Sequence, residues 1–127
     1  MSESVVTNVA KKKLIQARAG LIPSLPKTVA MAFGDGAASG SSVRKPLPTD
    51  TALQHELYRQ NVDSVELQED GISAMYTTTL GRTTLGGQAI NEVALVDSDG
   101  DLLAIKSFSS KGKDSDMEMV FDVLDKF

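Results

Sequence analysis

The segment from residue 86 to residue 108 constrains the fold most, because it has the pattern of two apolar strands joined by a tight turn. Residues 89–96 are rich in β-forming side chains, and residues 102–108 form a second run of the same kind. Between them lies Asp-Ser-Asp-Gly, a turn in which Gly100 can adopt a positive φ. The segment therefore predicts an antiparallel hairpin in a β-rich protein.

Four other segments have the pattern of strands: residues 27–33, 62–67, 72–80 and 117–124. In the first, Val29, Met31 and Phe33 alternate with smaller residues, which predicts one large apolar face and one small-residue face. The second and third flank an acidic glycine turn at residues 69–71. Methionines on strands are expected in the core or at an adaptable interface; they are Met31, Met75, Met117 and Met119.

Residues 3–19 predict an N-terminal helix that is capped by Ser2 or Ser4 and ended by Gly20. This end of the chain is basic, whereas the remainder is acidic; its cations are Lys11, Lys12, Lys13 and Arg18. Two interpretations remain open for these charges. They either attract the acidic body of another subunit or form a solvated helix face.

Residues 50–61 predict a short inserted helix, capped by Thr49 or Asp50. Consecutive strands with short turns, and no strand–helix–strand rhythm, favour antiparallel pairing. We therefore predict an α+β fold that is mainly antiparallel β, with about six strands in a sheet or sandwich, an N-terminal helix and the inserted helix. We expect one domain over residues 1–127, with the helix in residues 1–20 and a β-rich body in residues 27–127.

Three segments are predicted to be loops: residues 34–49, residues 81–88 and the polar residues 109–116. The first is the longest, lacks periodicity and is expected to be poorly ordered near residues 37–42. Its glycine-rich start would bind a dinucleotide only if a helix began at once, and prolines at positions 46 and 48 follow instead. A sharp glycine turn is the favoured interpretation.

The composition excludes several kinds of site. The chain has no cysteine and one histidine, so disulfides, thiolate metal sites and multi-histidine metal sites are excluded. A net charge of −4 argues against nucleic acid as a partner. No apolar run approaches the roughly 20 residues of a membrane span, and the N-terminus lacks the order of a signal peptide. We therefore expect neither a nucleic-acid nor a membrane partner.

His55 is the one candidate for a catalytic base, but such a base needs a nucleophile and an orienting partner in three dimensions. Asp50 and Glu56 are its nearest carboxylates in the sequence, and a surface or capping histidine is favoured. The carboxylates around residues 69–71 are attributed to solubility; they are Asp63, Glu66, Glu69 and Asp70.

Asp97, Asp99 and Asp101 have the spacing of calcium ligands. In the register of an EF-hand loop, however, Leu102 replaces the required glycine and Phe108 replaces the final glutamate. A hairpin turn is favoured, and weak divalent-ion binding is left open. We accordingly predict no catalytic residue, no cofactor, no metal site and no enzymatic activity.

Several short motifs then follow one another in a familiar order. They are Ala19-Gly20, Pro23, Pro26-Lys27, Met31-Ala32-Phe33-Gly34-Asp35-Gly36, Leu53, Glu56-Leu57-Tyr58-Arg59, Val62, Gly86-Gly87, Ile90-Asn91-Glu92-Val93 and Asp99-Gly100-Asp101. Taken together, these motifs resemble the N-terminal domain of the bacteriophage tail-collar fibre family. The resemblance covers most of the chain.

The resemblance implies a non-enzymatic structural role in the virion tail, after synthesis in the bacterial host cytoplasm. Domains of this family lie at the base of tail fibres, fasten them to the baseplate and commonly form trimers. The N-terminal helix would then be the docking or oligomer element, and Arg59 and Glu92 would be buried pairing partners. Members often continue into fibre shafts, whereas residues 111–127 replace that exit here. A free-standing adaptor from a phage, prophage or tail-like particle and an excised domain are both compatible with this.

One alternative function comes from the longest loop. A small binding module would recognise a surface glycan or another ligand through residues 34–49.

Overall fold

The computed structural model describes residues 4–126, which form one helix and ten strands. In chain order these are β1 (Val5–Val6), α1 (Asn8–Arg18), β2 (Thr28–Gly34), β3 (Ala38–Ser39), β4 (Ser42–Val43), β5 (Glu56–Asn61), β6 (Ser64–Leu67), β7 (Ser73–Leu80), β8 (Ala89–Asp97), β9 (Leu102–Gly112) and β10 (Met119–Lys126).

The strands form two main sheets and one small hairpin. The larger sheet has the order β1-β9-β8-β2-β5, the smaller has the order β10-β7-β6, and β3 pairs with β4. Every pairing is antiparallel. The mainly antiparallel α+β fold is therefore confirmed, while the strands are more numerous than the six predicted.

The main core lies where the two sheets face each other. Alternation along β2 places Met31 and Phe33 on the face toward the smaller sheet, and both are fully buried. The ring of Phe33 meets that of Phe121 edge-on, with centroids 5.2 Å apart. The core residues contributed by both sheets are Met31, Phe33, Leu80, Ile90, Val93, Leu95, Ala104, Phe121 and Val123.

A second apolar cluster covers the opposite face of the larger sheet. The small residues predicted for that face, Ala30 and Ala32, let the chain around Leu53 approach the sheet closely. Strand β8 therefore carries apolar side chains on both faces and is buried from Ile90 to Asp97. The members of this cluster are Ala30, Ala32, Leu53, Ala94, Val96, Leu102 and Ile105.

The N-terminal helix is shorter than predicted, because Val5 and Val6 pair with β9 as an edge strand. The cap is Thr7, whose hydroxyl accepts from the N–H of Ala10 and donates to the carbonyl of Leu102 at 2.7 Å. The predicted cap Ser4 instead donates its hydroxyl to the Leu124 carbonyl, and Ser2 lies outside the described residues. Gly20 follows the helix end with φ +76°, as predicted.

The predicted helix over residues 50–61 is wrong. Residues 56–61 form β5, which pairs with the free edge of β2 and places Tyr58 opposite Phe33. Residues 50–55 have no regular structure. The spacing of Leu53 and Leu57 is compatible with a helix, but pairing with the edge of β2 stabilises a strand instead.

Two predicted loops also contain strand. Residues 38–43 form the β3–β4 hairpin, where poor order was expected, and Ala37 beside it is 5% exposed. Strand β9 continues to Gly112, into the segment predicted to be a polar loop. The hairpin of residues 89–108 and the hairpin β6–β7 are confirmed.

Candidate functional site

Two adjacent polar residues of β8, Asn91 and Glu92, are both 2% exposed in the middle of the larger sheet. The Glu92 carboxylate accepts backbone N–H groups from Gly36 at 3.0 Å, from Gln54 at 2.9 Å and from His55 at 2.9 Å. A buried carboxylate is tolerated when such donors replace its hydration. Glu92 therefore holds two separate irregular segments against the sheet.

Asn91 completes the same arrangement. Its side-chain oxygen accepts from the N–H of Ala37 at 2.9 Å, and its amide donates to the Asp35 carbonyl at 3.0 Å and to the Ser110 hydroxyl. We call Asn91 and Glu92 the polar clamp. The clamp adds side-chain acceptors and donors to the few backbone bonds that these loops make, such as that from the Asp35 N–H to the His55 carbonyl.

Glycine is required where the loop passes over the clamp. A Cβ atom on Gly34 would lie 2.5 Å from the Glu92 carboxylate and 2.5 Å from the His55 carbonyl oxygen. A Cβ atom on Gly36 would lie 2.7 Å from Gln54 and from the His55 nitrogen. The glycines thus serve close approach of two backbone segments, in keeping with the predicted sharp turn.

The predicted pairing of Arg59 with Glu92 is wrong. Arg59 is partly exposed and forms its ion pair with Glu56 at 2.8 Å, on strand β5. Glu92 was correctly expected to be buried, but its partners are backbone donors rather than a cation.

His55 is a surface residue, as predicted, with 68% of its side chain exposed. Its Nδ1 atom lies 2.6 Å from Asp35, whereas the sequence suggested Asp50 or Glu56 as partners. Asp50 instead binds Arg44, and Glu56 binds Arg59.

A second polar cluster joins the helix to the hairpin turn. The Lys13 ammonium lies 2.6 Å from Asp97, 3.2 Å from Asp99 and 2.6 Å from Asp101. The Asp97 side chain is fully buried, and it also accepts the N–H groups of Asp99 and Asp101. We call these four residues the lysine cluster. It fixes one turn of α1 to the end of β8.

The lysine cluster bears on two questions that the sequence left open. One is whether the three aspartates come together, and the other is what the basic helix attracts. Asp97, Asp99 and Asp101 do bring their carboxylates together, within 4.8 Å of one another, but the Lys13 ammonium lies among them. For Lys13, the attraction between basic helix and acidic body occurs inside one chain. The sequence could not reveal this partner because it is 84 residues away.

The loop of residues 34–49 folds down onto the sheet. Arg44 and Asp50 form a bidentate ion pair, with N···O distances of 2.8 and 3.0 Å. The hydrogen bonds from Arg44 hold the pKa of Asp50 below its usual value. The Ser107 hydroxyl donates to the Arg44 carbonyl at 2.7 Å. Val43 and Leu47 are left with exposed side chains.

A cleft of about 190 Å³ lies beneath α1. Leu14 and Leu25 form apolar walls, Tyr76 comes from the smaller sheet, and Lys13 and Asp125 add charge. Burial raises the pKa of Asp125. Ala10, at 9% exposed, is the most buried described residue of α1, so the polar contacts of Thr7 and Lys13 contribute much of what holds the helix.

A sequence model of the phage tail-collar fibre protein N-terminal domain matches residues 1–122, which include the helix, the polar clamp and the lysine cluster. The chain belongs to this family. No curated protein and no solved structure shows a significant match.

Membership in this family makes the chain a structural component of the phage tail that associates with other tail proteins. Within residues 4–126, no helix has the length and apolar character needed to cross a membrane.

We expect the substitution Lys13→Met to lower the free energy of unfolding by about 2 kcal/mol, because buried Asp97 would lose its cation. Lys12→Met removes the same charge from an exposed neighbour and should change little. Urea unfolding followed by circular dichroism measures both. Equal stability of the two variants would contradict the assigned role of Lys13.

The same interaction predicts a pH dependence. Partial burial lowers the pKa of Lys13, but hydrogen bonds to Asp101, Asp97 and Asp99 outweigh this effect and raise it above its ordinary value of 10.5. The stabilisation is therefore fully present below pH 10.5 and is lost as the pH rises through the folded-state pKa. The stability difference between the wild type and Lys13→Met should stay constant through neutral pH and shrink in strong alkali.

Proposed function

We propose that the chain is a non-enzymatic, homo-oligomeric attachment domain that fastens the base of a tail fibre to the baseplate, with residues 1–127 acting as one domain. The observation that carries this is the family match over residues 1–122. Trimeric assembly is part of the same proposal.

The polar clamp and the lysine cluster support this reading. Their buried side chains bind backbone groups or each other within the chain, and so they stiffen the molecule. Rigid presentation of a surface is what an attachment domain requires.

The outward side of α1 is a suitable docking surface. Lys11, Lys12 and Arg18 are exposed, and Ile15 between them is 57% exposed. A basic helix face with one apolar side chain fits an acidic surface on a neighbouring tail protein or subunit.

The alternative, recognition of a glycan through residues 34–49, has less support. This loop contains no aromatic side chain on which a sugar ring could stack. Its backbone is also tied to the sheet through Arg44 and Ala37.

Electron microscopy of tail particles carrying an epitope-tagged copy of the chain tests the attachment role. Antibody label at the junction of fibre and baseplate is expected. Label confined to the tube, or particles without label, would overturn the role.

Light scattering over a dilution series tests the assembly. A stable trimer is expected, and a monomer at every concentration would refute homo-oligomerisation in solution.

A further inference from the structure

Strand β6 (Ser64–Leu67) lies at an open edge of the smaller sheet. It pairs with β7 on one side, and all four of its residues are exposed. Val65 is 57% exposed and Leu67 is 71% exposed, which is unusual for large apolar side chains on a strand. Within the described residues no helix or loop element covers this edge.

The backbone of this edge is free to bond. The N–H of Gln68 donates to the Ser73 carbonyl at 2.9 Å, which fixes the register of the hairpin. Since alternate residues of an antiparallel strand bond to the same neighbour, Glu66 bonds toward β7, and Val65 and Leu67 direct their N–H and C=O groups outward. An added strand could therefore form backbone hydrogen bonds with two residues, Val65 and Leu67.

The two faces of the edge differ. Val65 lies opposite Tyr76 and Leu67 opposite Ala74, so both side chains extend the inner face, on which Tyr76 packs against the core. Glu66 lies on the outer face, and two strands away on that face β10 carries Asp122 and Lys126. An added strand would therefore meet apolar side chains on the inner face and the Glu66 carboxylate on the outer face.

The segment that contains β6 carries charge of one sign, and a cation from another element, Lys126 of β10, acts on Asp70. Residues 62–72 carry four carboxylates and no basic side chain; they are Asp63, Glu66, Glu69 and Asp70. Across residues 4–126, none of these four carboxylates takes part in an ion pair. The edge therefore lacks the lysine or proline that commonly blocks strand addition, and it attracts basic segments.

We propose that β6 accepts, as an added strand, an extended segment of another tail protein in which apolar and basic residues alternate. The apolar side chains cover Val65 and Leu67, and the basic ones face Glu66. This inference deepens the proposed attachment role and rests on it for the nature of the partner. A second copy of the chain is a poor occupant, because pairing β6 with β6 brings like carboxylates together.

The first test uses fluorescein-labelled peptides of alternating lysine and valine, with a glutamate–valine peptide of equal length as the control. Fluorescence anisotropy should show saturable binding of the lysine peptide to the full chain and none of the control. Glu66→Lys should weaken the affinity for the lysine peptide about tenfold. Glu69→Lys makes the same charge change in the adjacent turn and should preserve most of the affinity.

Val65→Pro supplies a second test, because it removes an outward N–H without removing a bond to β7. This variant should have the thermal unfolding midpoint of the wild type and should not bind the lysine peptide. No binding of the lysine peptide, or equal binding by the wild type, Glu66→Lys and Val65→Pro, would overturn the proposal. Self-association that Val65→Pro abolishes would overturn it too, and would assign the edge to a second copy. The epitope label on tail particles reports the attachment role separately.

Discussion

Glu92→Ala should lower the free energy of unfolding by about 3–5 kcal/mol. The carboxylate is 2% exposed and accepts three backbone N–H groups, which the substitution would leave without an acceptor. These N–H groups can form hydrogen bonds to water instead only if the loops move away from the sheet. The expected loss is therefore larger than for any exposed carboxylate of the chain.

Urea unfolding monitored by circular dichroism measures this loss, with Glu118→Ala as the control. Glu118 is exposed and lies outside the strands, so its removal should cost less than about 0.5 kcal/mol. Glu92→Gln keeps one acceptor oxygen and should fall between the two. Similar stabilities for Glu92→Ala and Glu118→Ala would show that the loops do not depend on the polar clamp.

Phe33→Ala should also cost about 3–5 kcal/mol, since it would open a cavity at the centre of the main core. Phe33 is fully buried and its ring packs edge-on against Phe121 at 5.2 Å. Tyr58 is its register partner on β5 and is 38% exposed, which makes it a matched control.

Tyr58→Ala should cost about 1 kcal/mol in the same unfolding experiment. Phe33→Leu should lie between the two, because leucine fills part of the space. A Phe33→Ala variant no less stable than Tyr58→Ala would mean that the two sheets do not pack through Phe33.

The sequence predicts the strands whose partners are local and whose pattern is strict. The hairpins around residues 69–71 and 97–101 combine alternating or continuous apolar runs with turn residues, so the local pattern decides them. Residues 56–61 are different, because Leu53 and Leu57 suit a helix and the strand forms only beside β2. Val5 and Val6 likewise become a strand only because β9 is there to pair with them.

The candidate site is predictable only in part for the same reason. A glutamate inside an apolar strand marks Glu92 as unusual, but nothing in the sequence shows that its partners are backbone groups near residues 36 and 54. Lys13 has no feature that distinguishes it from Lys11 and Lys12. Its position on the inward side of the helix depends on Thr7, which sets where the helix begins.

The order of strands in the larger sheet also dictates when each part can fold. The first segments to be synthesised, β1 and α1, bind β9 and the turn before it, roughly a hundred residues later in the chain. Until residues 97–106 have emerged, the helix has no surface to dock on and its Lys13 has no counter-charge. Such distant pairings slow folding, so this helix is expected to be the last element secured.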